Sequence, residues 1–161
     1  QANEMIKSFV YSAYLGFDSV AIPRFFYRKS DDSQTFEGKT GLIRTSNSVL
    51  EKKVAYFSFQ FISEKIKGAT YKGKIPNLTN NLDGFVFEKE NKNYYVIFNT
   101  DPKFLENVPI TVKGKSGIRY ITPSESSTIG TSTNFTVPDN GIMYADFIID
   151  NLNPRIIETV N

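Results

Sequence analysis

The sequence predicts an α+β fold in which a helix–strand–helix segment precedes an antiparallel β-sandwich. Apolar residues recur with helical spacing near the amino terminus and again after residue 48, and a strongly apolar stretch without alternation lies between them. From residue 68 onwards, short runs with strand propensity alternate with turn-forming residues. We therefore divide the chain at this change, into residues 1–67 and residues 68–161.

The composition excludes several classes of functional site. The 161 residues include no cysteine and no histidine, which removes disulfide frameworks, thiol nucleophiles, cysteine-based zinc sites and the commonest general base. The 19 basic and 17 acidic residues give a net charge of +2 and are interspersed, so we expect no nucleic-acid partner. No apolar run approaches the ~20 residues of a membrane span. There is no phosphate-binding loop, and we expect no cofactor.

The first predicted helix covers residues 3–15. Gly16 follows the last apolar residue of the pattern and suits a left-handed helix end. The next stretch, Ser19 to Phe26, is apolar at most positions, as in a strand buried on both faces of a parallel sheet. Pro23 lacks a backbone donor, so it marks a strand end, a bulge or a sheet edge. The apolar positions of the helix are Met5, Ile6, Phe9, Val10, Ala13 and Tyr14.

A long polar loop, residues 27–41, precedes the second predicted helix. Loops of this length are often functional in compact domains. Ser48 and Glu51 fit the capping-box pattern S-x-x-E, so we expect the helix to begin there and to run to about Lys67. Its predicted buried side consists of Val54, Ala55, Phe57, Ser58, Phe61, Ile62 and Ile66.

Seven short strands are predicted in the second half of the chain. They are separated by turn signals such as Asn-Leu-Asp-Gly at 81–84 and Pro-Asp-Asn-Gly at 138–141. Regular turns between short strands favour an antiparallel sandwich. The tail, residues 151–161, carries no clear pattern and receives no assignment. The predicted strands are residues 69–75, 84–89, 94–99, 108–113, 117–122, 133–137 and 143–149.

The order of these elements resembles the last βα unit of a (β/α)8-barrel glycoside hydrolase, followed by the C-terminal β-sandwich that many such enzymes carry. The first matching stretch is MIKSFVYSAYLGFDSVAIPRFF, which is similar to barrel helix 7 running into strand 8. The second is FEGKTGLIRTSNSVLEKKVAYFSFQFISEKI, which is similar to the chain re-entering at Gly41-Leu42 and starting helix 8. That helix start is Lys53-Val54-Ala55-Tyr56, with Val54 where these families often have proline.

The resemblance implies a fragment of an enzyme. In such barrels two carboxylates at the ends of strands 4 and 7 carry the reaction, and both strands would precede Gln1. We therefore expect no catalytic residue in this chain and no activity from it alone. The implied partners are a polysaccharide or oligosaccharide and the missing barrel segment, upstream or in another chain. The implied location is secreted or at the cell surface.

The candidate substrate-binding residues are those at and just beyond the end of predicted strand 8. Arg24, Phe26, Tyr27 and Arg28 would face the cleft of a complete barrel. There an aromatic ring stacks on a sugar, and a guanidinium donates hydrogen bonds to hydroxyls. The alternative is that the phenylalanines belong to the core and the arginines are solvated.

A second function remains open, a non-catalytic β-sandwich that binds carbohydrate or protein and carries a helical N-terminal extension. The pairing of the strand at 19–26 distinguishes the two functions. A strand paired antiparallel with the sandwich's own sheet would contradict the barrel.

Overall fold

The structure is a computed structural model that describes residues 2–17, 26–28, 41–46, 49–101, 106–123, 131–147 and 154–161. The described residues form two helices, α1 (Ala2–Tyr14) and α2 (Val54–Ile66). The strands are β1 (Phe26–Arg28), β2 (Ile43–Ser46), β3 (Val49–Lys52), β4 (Thr70–Lys74), β5 (Leu82–Lys89), β6 (Lys92–Asn99), β7 (Glu106–Thr111), β8 (Ser116–Ile121), β9 (Thr131–Thr136), β10 (Ile142–Phe147) and β11 (Arg155–Val160).

The α+β class is confirmed, and the seven predicted strands of the second half each lie within two residues of β4 to β10 at both ends. Six strands form one antiparallel sheet in the order β4-β5-β6-β11-β8-β9, and β10 pairs with β7 in a second sheet. The tail left without an assignment is strand β11, which pairs with β6 and β8 near the middle of the large sheet. It is buried on both faces, so it shows no alternation of apolar and polar residues.

The six-stranded sheet is covered on both faces. Alternate residues of a strand point to opposite faces, and β6 shows both sets. Val96 and Phe98 belong to a core cluster with residues of the two helices. Tyr95 and Ile97 belong to a second cluster with residues of β7 and β10. The protein therefore has helices, a large sheet and a small sheet as successive layers. The division at residues 67 and 68 stays a prediction.

Helix α1 crosses the large sheet from the carboxyl end of β6 towards its amino end. The Lys7 ammonium lies 5.5 Å from the centre of the Phe98 ring. Two turns later, the Tyr14 ring lies 5.3 Å from the ring of Phe85, which pairs with Val96 in the ladder. Along α1, the contacts therefore shift from Phe98 of β6 to the position of Val96, towards the amino end of that strand.

Helix α2 advances in the same direction. The Phe61 ring meets the Tyr120 ring at 5.5 Å, and one turn later Lys65 reaches Glu158. Through β11 the ladder aligns residue 120 with residue 96 of β6 and residue 158 with residue 94. The two helices therefore run parallel over the sheet, as helices of successive βα units do, whereas helices joined by a short loop run antiparallel.

The first strands form a separate three-stranded sheet in the order β1-β2-β3. Strand β1 is parallel to β2, with Phe26 opposite Ile43, and β2 is antiparallel to β3. Residues 18–25 of the predicted strand lie outside the described residues, and residue 26 begins β1. Among the described strands, β1 pairs with neither sandwich sheet. It therefore lacks the antiparallel pairing with the sandwich that would contradict a barrel.

The predicted capping box is wrong. Glu51 lies in strand β3, and the N-cap of α2 is Lys53, whose side chain makes no capping hydrogen bond. Instead, the Lys53 backbone N–H donates to the Leu42 carbonyl oxygen at 2.9 Å. A strand that continues to within one residue of the helix replaces the turn that a capping box requires.

We expect Ile156→Ala to destabilise the protein by about 2–5 kcal/mol, because Ile156 is fully buried in the cluster between the helices and the sheet. Val160→Ala on the same strand is the matched control, since that side chain is 40% exposed. Urea unfolding followed by circular dichroism measures both. Equal losses in the two variants would contradict a central position for β11.

Candidate functional site

Three of the four predicted substrate-binding residues, Phe26, Tyr27 and Arg28, form strand β1, and Arg24 lies outside the described residues. Strand β1 is an edge of its sheet, because among the described strands only β2 pairs with it. An edge strand presents unpaired backbone groups that a neighbouring strand can take up. The position suits a strand of a larger parallel sheet, and the role of these side chains in sugar binding stays a prediction.

The helical layer is apolar on two sides. One side packs on the large sheet, as described above. The other contributes to a third cluster, which joins Ala55 of α2 to Leu42 and to Ile43 of β2, with Met5 of α1 packed against it. Helices that bury two sides lie between two layers of structure. This arrangement links the helices both to the sandwich and to the parallel pair β1–β2.

Apolar side chains at two places near this layer remain uncovered. Leu15 and Phe17, just beyond α1, are 62% and 64% exposed. Val49 and Leu50 of strand β3 are each 64% exposed. Clustered exposed apolar residues commonly mark contacts with further structure.

The carboxylate of Glu158 on β11 is buried, with a side chain only 3% exposed, and has three polar partners. Lys92 Nζ of β6 donates to Oε1 at 2.7 Å. The Tyr120 hydroxyl of β8 donates to Oε2 at 2.9 Å, and Lys65 Nζ of α2 lies 3.3 Å from the same oxygen. The Lys65 ammonium also lies 4.2 Å from the centre of the Tyr120 ring. We call these four residues the Glu158 cluster.

The electrostatics of the Glu158 cluster favour the ionised carboxylate. Burial alone would raise the pKa of Glu158, but hydrogen bonds from Lys92 and Tyr120 and the charge of Lys65 lower that pKa overall. The pKa of Lys92 is raised, chiefly by its hydrogen bond to Glu158. Burial, followed by the hydrogen bond to Glu158, raises the pKa of Tyr120 to about 12. A glycosidase acid requires a raised carboxyl pKa, so the lowered pKa of Glu158 argues against that role.

A second polar contact joins α1 to β5. The Tyr11 hydroxyl donates a hydrogen bond to Asp83, and Lys74 Nζ lies 3.8 Å from the same carboxylate. Burial and this hydrogen bond together raise the pKa of Tyr11. The Lys74 ammonium also lies 5.3 Å from the Tyr14 ring. Each helix is thus bonded to the sheet by a carboxylate as well as by apolar packing.

Neither contact was found from the sequence, because partners such as Tyr11 and Asp83 are 72 positions apart. A signal was present in Arg155-Ile-Ile-Glu-Thr-Val160, where Glu158 interrupts an apolar run. A carboxylate in such a run requires cationic or hydrogen-bonding partners.

Neither a cluster of candidate metal ligands nor a membrane-spanning helix occurs among the described residues. They contain no group of three or more histidine, cysteine, aspartate or glutamate side chains able to hold a metal ion. Within the same part of the chain, neither helix has the length and hydropathy needed to cross a bilayer. The expectation that no cofactor binds stays a prediction.

The fold is similar to parts of solved glycoside hydrolases. A GH30 endoxylanase from Clostridium papyrosolvens C71 matches 76% of this chain with a TM-score of 0.56 and 17% identity. The GH30 xylanase C of Talaromyces cellulolyticus gives 0.51 over 76% at 15% identity. A GH51 α-L-arabinofuranosidase from Thermotoga petrophila RKU-1 gives 0.50 over 74% at 16% identity. The sequence matches no protein-family model and no curated protein.

The chain spans only about a third of these structures, 31%, 27% and 31% of their respective lengths. At such identities the likeness establishes the fold and nothing finer. The resemblance predicted from the sequence is therefore confirmed at the level of fold. The described residues have a fold similar to parts of these enzymes, with a helical layer packed on a large antiparallel sheet.

Glu158→Gln should destabilise the protein by about 1–3 kcal/mol, because two lysines and a tyrosine lose their buried anion. Tyr120→Phe should cost about 1 kcal/mol, since it removes one donor and keeps the ring. Glu64→Gln, an exposed position on α2, is the control. Denaturant melts measure all three variants. A Glu158→Gln variant as stable as the Glu64→Gln variant would refute a stabilising role for the cluster.

The Glu158 cluster should also produce an acid-dependent loss of stability. Because folding lowers the pKa of Glu158 below its ordinary value of 4.5, its stabilising contribution is present above pH 4.5 and is lost as pH falls through the lower, folded-state pKa. The difference in melting temperature between the wild type and Glu158→Gln should therefore shrink on acidification below pH 4.5. A difference independent of pH would contradict ionisation of Glu158.

Proposed function

We propose that this chain is the C-terminal part of a glycoside hydrolase. Helices α1 and α2 and strand β1 would form one wall of its (β/α)8 barrel, and the sandwich would be an accessory layer. The catalytic carboxylates would lie upstream, outside this chain. The single observation that carries the proposal is the parallel pair of helices over the large sheet, with apolar residues on both of their sides.

The parallel direction supports a barrel because successive helices of a (β/α)8 barrel run side by side in the same direction. The parallel pair β1–β2, with an open edge on β1, supports it further. The fold likeness to GH30 and GH51 enzymes agrees with this arrangement. The substrates in the names of those structures suggest that the whole enzyme acts on xylan or on arabinofuranosyl groups.

A polysaccharide substrate also favours a secreted or cell-surface location for the whole enzyme. The preceding barrel segment, in the same chain or in another, is the expected macromolecular partner. In a complete barrel, the end of strand β1 would line the substrate cleft, with Phe26, Tyr27 and Arg28 as sugar contacts.

The second candidate function is a non-catalytic sandwich that binds carbohydrate or protein. The exposed aromatic Tyr144 on the small sheet favours it. A sandwich with a simple helical extension needs only one apolar side on its helices. The two functions therefore differ in what the third cluster and the exposed Val49 and Leu50 contact.

The chain alone should hydrolyse neither xylan nor aryl α-L-arabinofuranosides and aryl β-xylosides, because the catalytic carboxylates of the proposed barrel would lie upstream. The same chain extended by the reading frame that precedes Gln1 should hydrolyse one of them. Reducing-sugar and chromogenic assays measure both proteins, with a glutamate-to-glutamine change in the upstream segment as the control.

Two results would contradict the proposal. One is hydrolysis by the chain alone that survives purification to constant specific activity. The other is an upstream reading frame without the strand ends that carry Asn-Glu and a later Glu. The second result would favour the binding module.

A further inference from the structure

The outer face of the small sheet carries an arrangement of side chains that the proposed hydrolase role does not use. In β10, Met143 and Ala145 point into the core, so Tyr144 and Asp146 point outwards. Tyr144 is 58% exposed, and the Asp146 side chain is 59% exposed. Within the described part of the chain, Tyr144 makes no hydrogen bond or ring contact, so its ring and hydroxyl are both available.

The neighbours of Tyr144 on this face are a proline and polar side chains. The ladder places Pro109 directly opposite Tyr144, and Asn107 opposite Asp146. Thr111 stands at the other end of β7, and all three β7 residues are exposed. Rows on one strand face repeat about every 7 Å. The face is therefore a platform with an apolar centre and hydrogen-bonding groups at both ends.

A guanidinium completes one end of the platform. Arg119 of β8 in the large sheet reaches across to β10, where Nη2 lies 3.2 Å from Asp146 Oδ2. The pairing holds both groups in place while leaving them partly exposed, at 29% and 59%. Paired aspartate and arginine side chains offer acceptors and donors in a fixed geometry. Such a pair suits vicinal hydroxyls, which both donate and accept.

Pro109 argues against a protein strand paired along the β7 edge. It provides no backbone N–H, and proline on an edge strand prevents pairing with another chain. A ligand that covers Pro109 and Tyr144 would therefore lie on the face and not along the β7 edge. A flat ligand with apolar C–H faces and hydroxyl edges matches an exposed tyrosine flanked by aspartate, asparagine and arginine.

We propose that the outer face of the β7–β10 sheet binds a neutral oligosaccharide chain, with Tyr144 stacking on a sugar ring and the Arg119–Asp146 pair and Asn107 bonding its hydroxyls. The choice of an oligosaccharide as the ligand rests on the proposed function. The surface is separate from the barrel wall, and it would hold the protein on a polymer while the barrel acts on it.

The test is native affinity electrophoresis of the chain in gels containing arabinoxylan, xyloglucan or mixed-linkage β-glucan. The wild type should be retarded by at least one of them. Tyr144→Ala should weaken binding about fivefold or more, and Tyr144→Phe should keep most of it because the ring remains. Phe17→Ala, which removes another exposed aromatic side chain, is the control and should bind like the wild type. Thermal melts check that every variant is folded.

Two results would overturn the proposal. They are no retardation of the wild type in any of the gels, and equal retardation of Tyr144→Ala and the wild type. Neither of them bears on the upstream catalytic residues. The hydrolase proposal therefore stands or fails independently, on the activity of the extended chain.

Discussion

The contact between two parallel helices and one face of the six-stranded sheet is the interaction on which the rest of the structure depends. The aromatic side chains of that face, Phe85, Phe87 and Phe98, are at most 1% exposed, and this burial requires the helices. Burial of such side chains is the largest favourable contribution to folding. The sheet in turn fixes where the helices lie, and so where the strands connected to them can be.

A buried carboxylate in that apolar contact costs desolvation energy, which Lys65, Lys92 and Tyr120 offset. The donors come from α2, β6 and β8, and hydrogen bonds are directional. Apolar packing alone tolerates sliding of one layer over another, whereas the Glu158 cluster is satisfied at one position of α2 on the sheet. Lys65 thus adds a polar contact from α2 to the apolar packing, where its ammonium reaches Glu158 and Tyr120.

The register of α2 matters because the helix has a second side. Ala55 and Tyr56 face the cluster that includes Leu42 and Ile43, next to the parallel pair of strands. A shift of the helix on the sandwich would also shift that pair. The helical layer therefore couples the position of the parallel pair to that of the large sheet.

The sequence by itself determined the two helices, seven of the sandwich strands and the resemblance to a barrel hydrolase, because helical and strand periodicities are local and survive without tertiary contacts. It missed the pairing of β11, because Arg155-Ile-Ile-Glu-Thr-Val160 is buried on both faces and shows no alternation. It also gave α2 a capping box that β3 replaces. The Glu158 cluster and the Tyr144 platform depended on the tertiary structure alone, since their residues meet only after distant strands pair and the layers pack.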